Sequence, residues 1–507
     1  MKKNRPMLKT RASGILLHPT SLPGRFGSGD LGGEAYRFVD WLSDAGQSYW
    51  QVLPLGEIGP GNSPYMSRSA FAGNVLLIDL AELAEHGWLE QGELEFAPDS
   101  HPNRVDFCVT QPFRMAKLRQ AARQFFSLNN NLMRREYEVF CEVESDWLRD
   151  YALFMAIAEH QDWREWDSWP DELSRRDVQA LRDFETRFAD EIDFWRFCQW
   201  SFARQWFRLK EYANSRGIRI IGDVPIFVAY QSADVWSHQE LFKLDDAGRP
   251  VAVAGVPPDY FSETGQLWGN PVYRWAVHEE SGFDWWIARM RQAFRLADVV
   301  RVDHFRGFAA YWEIPAGAPN AIGGKWVKSP GDHLFQVMQR SFPKLPIIAE
   351  DLGIITPDVA ELRDKFELPG MRVLQFAFGD NEANPFLPHN YVSNTVAYTG
   401  THDNDTTLGW WSALPNRERG FVQQYLRCDG QAIHWDMMRA LSASVANTVI
   451  FPLQDVLGLN SEHRMNFPGK PCGNWEWRFT WDQVSAEQTK RLADISAENV
   501  RIPIREV

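Results

Sequence analysis

Three carboxylates stand at the ends of three short apolar runs. Asp303 closes "DVVRVD", Glu350 closes "PIIAE", and Asp403 lies just past "NTVAYTG". Arg301 sits two residues before Asp303, and His402 directly before Asp403. A pair of facing carboxyl groups can cleave a glycosidic bond with retention: one attacks the anomeric carbon and the other protonates the leaving oxygen. The nucleophile has to stay ionised, which a neighbouring arginine favours. The acid has to keep its proton near neutral pH, which burial or a nearby negative charge achieves. On this reading Arg301 serves Asp303, and the charges of Asp303 and Asp403 hold the proton on Glu350. Each acid also has a plainer reading as a helix cap or a solvated loop residue, and Asp403 and Asp405 ahead of "TTLGWW" suit a cap well. Three such accidents on one rim account for the pattern less well than one shared site does.

Side chains alternate along a strand, so Val299, Arg301 and Asp303 share one face and Val300 and Val302 the other. Eight runs have strand character: Gly14–Leu17, Tyr49–Leu55, Ile218–Val224, Asp298–Asp303, Pro346–Asp351, Arg372–Phe378, Asn394–Gly400 and Asn447–Leu453. Amphipathic helical patterns such as "GGEAYRFVDWLSDAG" separate most of them. Strands alternating with helices predict an α/β fold with a parallel sheet, and eight such units predict a (β/α)8 TIM barrel. Residues 1–507 then form one catalytic barrel unit, with Arg301 and Asp303 pointing inward at the C-terminal mouth, where barrel enzymes keep their active sites. The long interval between the second and third runs reads as mainly helical, and residues 80–216 are expected to be an inserted helical subdomain. The proline- and glycine-rich stretch 255–271 carries Tyr260, Phe261 and Trp268. Surface loops rarely hold so many aromatic rings unless something covers them, so this stretch is expected to be a lid over the mouth.

Composition narrows the partners. With 53 basic and 67 acidic residues the formal charge is −14, which argues against a nucleic-acid ligand. No run of 18 apolar residues predicts a membrane span, and the basic opening "MKKNRPMLKTR" lacks the apolar core of a secretory signal. Five widely spaced cysteines make no CxxC pair, so neither a disulfide framework nor a catalytic metal is expected, and a cytoplasmic location is. The 23 tryptophans and 13 tyrosines are expected to be mostly core, yet they slightly favour a carbohydrate ligand, since sugar rings stack on aromatic faces. "GSGDLG" (Gly27–Gly32) matches a dinucleotide-loop spacing, but the first strand ends about ten residues earlier. The tight strand–turn–helix that such a loop needs is therefore missing.

Taken together, "GILLHPTSLPGRFGSGDLG", "NSPYMSRSAFAGN", "IGDVPIFV", "GVPPDYFSETGQLWGNPVY", "RVDHFRGF", "IIAEDLG", "TGTHDNDT" and "GNWEWRF" resemble the 4-α-glucanotransferases of the amylomaltase type, within the α-amylase superfamily. The resemblance runs from residue 14 to residue 479 and is specific as a set. It implies Asp303 as nucleophile, Glu350 as general acid/base and Asp403 as transition-state stabiliser. It implies substrate contacts for Ser63, Tyr65, Asp223, Gln266, Trp268, Arg301, Asp380, His402 and Asn474. It also implies maltooligosaccharides and other α-1,4-glucans as substrates, and no cofactor. An amylase-like retaining hydrolase shares the same acids and remains the alternative. The chain departs from the family pattern at Phe107, where tyrosine is frequent, and at Lys470. Whether it acts as a monomer or a homodimer is left open by the sequence.

Overall fold

Eight parallel strands close into a barrel: Ala12–Leu16, Tyr49–Gln51, Arg219–Pro225, Val299–Asp303, Ile347–Ala349, Gly370–Val373, Thr395–Tyr398 and Thr448–Pro452. They follow one another around the barrel in chain order, and the first pairs with the eighth. The computed structural model describes residues 8–95, 101–128, 131–258, 262–379 and 381–502. Each of the eight apolar runs overlaps one barrel strand, though Ala12–Leu16 begins two residues ahead of its run and Gly370–Val373 shares only Arg372 and Val373 with its own. Most of the strands are shorter than their runs, because the chain leaves the sheet at the rim to form the mouth. Most strand positions are buried, which is why these strands read as continuous apolar runs.

The register places the site. Asp223 stands directly opposite Arg301, and Val302 opposite Ala349. The ladder continues one step upward, since Glu350 donates its backbone N–H to Val302 (3.1 Å) and accepts one from Phe305 (3.1 Å). Asp303 and Glu350 therefore sit side by side on adjacent strands, whose backbones are about 4.8 Å apart in parallel sheets.

Between the second and third strands the chain is largely helical, including Phe107–Ser127, Asn131–Val143, Ser145–His160 and Ala189–Ser215. Local chemistry starts two of its helices. Asp106 accepts from Cys108 N to cap the first of these, and Asp177 accepts from Gln179 and Ala180 N to cap Val178–Arg187. The helix Ala189–Ser215 is stitched to the barrel by Gln199 on Gly73, Gln205 on Asp79 and the Trp206 indole on Leu296 O (2.9 Å). Trp50, Trp88, Trp166, Trp195, Trp206, Trp236 and Trp286 are among the largest fully buried side chains, so much of the tryptophan excess is core.

The glycines of "GSGDLG" have a packing explanation. Gly27 has φ +87°, and a Cβ there would meet Thr110 Oγ1 at 2.3 Å. The buried guanidinium of Arg114 donates to Phe26 O, Ile78 O and Asp30 Oδ2, which binds this loop to the helix Phe107–Ser127. At the other end of the barrel, Arg501 donates to the carbonyls of Ala12, Ser442, Ser444, Ala446 and Asn447 and ties the starts of the first and eighth strands together.

A second, four-stranded antiparallel sheet was not foreseen from the sequence. It orders Gln266–Pro271, Ala252–Val256, Ala310–Pro315 and Lys325–Lys328, and it stands beside the mouth. The stretch 255–271 is thus a hairpin of this sheet rather than a bare excursion; Tyr260 and Phe261 lie outside the described residues. Among the described residues, no helix is long and apolar enough to cross a membrane.

Candidate active site

Arg301 organises the mouth. Its Nη1 donates to Asp223 Oδ2 (2.6 Å) and its Nη2 to Asp303 Oδ1 (2.7 Å). The arginine side chain is 4% exposed and that of Asp223 is 0%, whereas that of Asp303 is 30% exposed and open to a ligand. Burial alone would weaken the charge on Arg301, but Asp223 and Asp303 outweigh it and push its pKa well above the usual value. The Asp223 carboxyl is pushed upward by burial, and its Oδ1 has no hydrogen-bond partner within the protein. Such a buried acceptor is poised for a hydroxyl donor.

From Asp223 the network reaches the seventh strand. Tyr65 Oη donates to Asp223 Oδ2 (2.7 Å) and lies 3.0 Å from His402 Nε2, with the two rings stacked at 5.3 Å. His402 Nε2 is 3.3 Å from Asp403 Oδ2. Asp403 is held from a third direction, since Asn466 Nδ2 donates to its Oδ1 (2.6 Å) and Arg464 Nη2 to its carbonyl (2.5 Å). Neither residue stood out in the sequence. They lie some sixty residues downstream in a stretch without periodicity, and only folding brings them to Asp403.

Glu350 occupies a niche on the other side of Asp303. Its Oε2 accepts from His304 N (2.7 Å) and its Oε1 from Leu352 N (2.8 Å). Both contacts favour the carboxylate, yet burial and then the charge of Asp303 prevail and raise its pKa to about 7. His304 has φ +54°, a left-handed conformation that costs a non-glycine residue about 1–3 kcal/mol. It directs the amide immediately after Asp303 at Glu350. The His304 ring meets the edge of Trp268 at 4.8 Å. His304 was quoted within its motif but given no role.

The remaining positions differ in standing. Gln266 is exposed and accepts from Trp268 Nε1 (3.1 Å). Ser63 Oγ accepts from Tyr65 N and caps the turn that presents Tyr65. Asn474 is 5% exposed and ties its own loop to Phe467 N and Lys470 O (both 2.8 Å); it is Trp475 beside it that packs on Tyr65 and His402. Asp380 lies outside the described residues. Phe107 is buried with Leu76 and Val105, and the Lys470 ammonium sits 4.4 Å over the Phe467 ring. Among the described residues, no cluster of three or more histidine, cysteine or acidic side chains is arranged to hold a metal ion.

Known proteins resemble this chain in sequence and fold. The family described as 4-alpha-glucanotransferase matches residues 17–484. The chain is 51% identical over 500 residues to the 4-alpha-glucanotransferase of Thermus thermophilus, covering 97% of this chain and 99% of that one. It is 45% identical to the chloroplastic/amyloplastic 4-alpha-glucanotransferase of Solanum tuberosum, covering 97% and 87%. Among solved structures, the amylomaltase of Streptococcus agalactiae in complex with acarbose superposes with a TM-score of 0.94 at 40% identity, covering 97% of this chain and all of the other. The amylomaltase of Corynebacterium glutamicum, 18% identical with a TM-score of 0.77 over 96% of this chain and 75% of that one, shares the fold.

Proposed function

The chain belongs to the 4-α-glucanotransferase family, and on that premise we propose that Asp303, Glu350 and Asp403 carry out its transfer of α-1,4-glucan segments between maltodextrins. Asp303, held in the fork of Arg301, attacks the anomeric carbon of the donor. Glu350 delivers its proton to the departing 4-oxygen, and the shortened glucan leaves with that hydroxyl. The remaining glycosyl group stays bound to Asp303 as an ester. The 4-hydroxyl of a second glucan then gives its proton to Glu350, attacks the anomeric carbon and releases Asp303. Two inversions restore the α configuration. Asp403, with His402 and Asn466 around it, grips hydroxyls of the ring that distorts toward the oxocarbenium-like transition state. The orphan Oδ1 of Asp223 and the half-exposed ring of Trp268 supply further sugar contacts, together with Ser63, Tyr65, Gln266, Arg301, Asp380 and Asn474.

The observation that carries this reading is the unequal pair on neighbouring strands. One carboxylate is clamped by a buried arginine, and beside it a buried carboxyl holds its proton to about pH 7. We read the hairpin that includes Trp268 as a lid that keeps water from the glycosyl–Asp303 ester until an acceptor arrives, and the helices over 80–216 as an inserted subdomain. Five unpaired cysteines suit a reducing compartment such as the cytoplasm.

Maltotriose tests the reaction. One bond breaks for each bond formed, so the expected products are glucose and a ladder of longer maltodextrins, with total reducing ends nearly constant. A steady rise in reducing ends with only short products would instead make the protein a hydrolase.

A further inference from the structure

We propose that a cavity on the flank of the barrel is a second glucan-binding site, one that holds the polymer without cleaving it. The cavity measures about 420 Å³, within the range of ligand pockets, and lies between the helices Ser145–His160 and Asp284–Leu296 and the short helix Ala233–Ser237. None of the residues assigned to the mouth lines it.

Its wall has the chemistry of a sugar site. Trp147 is half-buried, its Nε1 is fixed to Glu144 Oε2 (2.8 Å), and its ring runs nearly parallel to that of Phe71 at 6.3 Å. A rigid, half-exposed indole is a platform for the apolar face of a pyranose ring. Some of the charged groups around it are held in place: Arg295 by Glu144 (2.7 Å), Arg176 by Asp150 (2.7 Å), and Asp234 by the backbone N–H of Ala70 (2.7 Å). The wall carries six carboxyl groups against two guanidinium groups, so it offers mainly acceptors for hydroxyl donors and disfavours an anion. That suits a neutral polyhydroxylated ligand, whose hydroxyls donate to carboxylates.

The cavity is also joined to the mouth through the chain. Ser69 and Phe71 in its wall continue the segment that presents Tyr65. Tyr151, another wall residue, donates to Glu57 Oε1 (2.6 Å) at the start of that segment. The inference rests on the reading of α-1,4-glucans as substrate: a polymer long enough to engage both sites gains from the second contact, and a trimer confined to the mouth does not.

Trp147→Ala, which removes the platform, and Ala288→Phe, which fills the cavity from the helix Asp284–Leu296, test this with the full-length protein. Initial rates on maltotriose and on amylose are measured together with retardation in native gels containing amylose. Expected are maltotriose constants within about twofold of wild type, an amylose KM raised by about threefold to tenfold in both variants, and weaker retardation. If Trp147→Ala lowers the melting temperature, Ala288→Phe decides alone. Unchanged amylose KM and retardation would overturn the proposal, and so would an equal loss on maltotriose, which would tie the cavity to the mouth. A wild-type protein that fails to disproportionate maltotriose refutes the proposed function instead, and the retardation comparison still reads the second site.

Discussion

Arg301 and Asp303 share one strand face two residues apart, and the guanidinium that holds Asp303 at 2.7 Å holds Asp223 at 2.6 Å with its other nitrogen. A single planar cation thus fixes both the proposed nucleophile and a buried acid one strand away. Lysine, a point charge, cannot reproduce this fork. Arg301→Lys is expected to lower kcat/KM on maltotriose by about a hundredfold or more, and Asp303→Asn by several further orders of magnitude. Near-normal steady-state rates for Asp303→Asn would remove it as the nucleophile.

The carboxyl of Glu350, raised by burial and by Asp303, sets the alkaline limb of activity. The acid form is present below about pH 7 and is lost as pH rises through that value. Plotted against pH, kcat/KM is expected to fall above about 7 in wild type, and Glu350→Gln to lack that limb along with most of the activity. The stability effect has a matching sign. Between the ordinary carboxyl value of 4.5 and about 7, the folded chain keeps a proton that the unfolded chain releases. Unfolding free energy from this group therefore declines as pH rises through that window and levels off above it. Urea melts at pH 5, 6, 7 and 8, with Glu350→Gln as the control, measure this.

Asp455 positions the segment that bears His402 and Asp403. Buried to 1% exposure, it accepts from Thr399 Oγ1 (2.6 Å), Thr407 Oγ1 (2.7 Å) and Thr407 N (2.7 Å), one contact before that segment and two after it. Asp455→Ala leaves three donors stranded and is expected to cost about 2–4 kcal/mol of stability. Because the segment is released, kcat should drop more than KM rises. Asp455→Asn keeps one acceptor and should recover part of both losses. An alanine variant with wild-type kcat at low temperature would show that the segment holds its shape without this anchor.

Trp268 touches His304, the residue after the proposed nucleophile, and stands half-exposed on the hairpin beside the mouth. Its removal should admit water to the glycosyl–Asp303 ester. Trp268→Ala is expected to raise the share of hydrolysis, read as new reducing ends per glucose released from maltotriose, while total turnover falls. A constant share would mean that the hairpin does not shield the ester.

The amino-acid sequence by itself determined the barrel and its chemistry. Eight apolar runs buried on both faces leave no amphipathic signal except at their C-terminal ends, where charge appears, and the period-2 alternation at Arg301 and Asp303 assigns those side chains inward. That information is local, carried within a few consecutive residues. Only the tertiary structure decided how the acids are tuned. Burial and the charge of Asp303 raise Glu350 against the amides of His304 and Leu352, and no residue type advertises that balance. Asn466 and Arg464 meet Asp403 across some sixty residues of chain, and Asp455 anchors the same segment from beyond the eighth strand. The sheet beside the mouth was hidden for a related reason. Its strands are short and partly exposed, and they pair antiparallel across a barrel strand, so their signal lies in partners that a linear pattern does not contain.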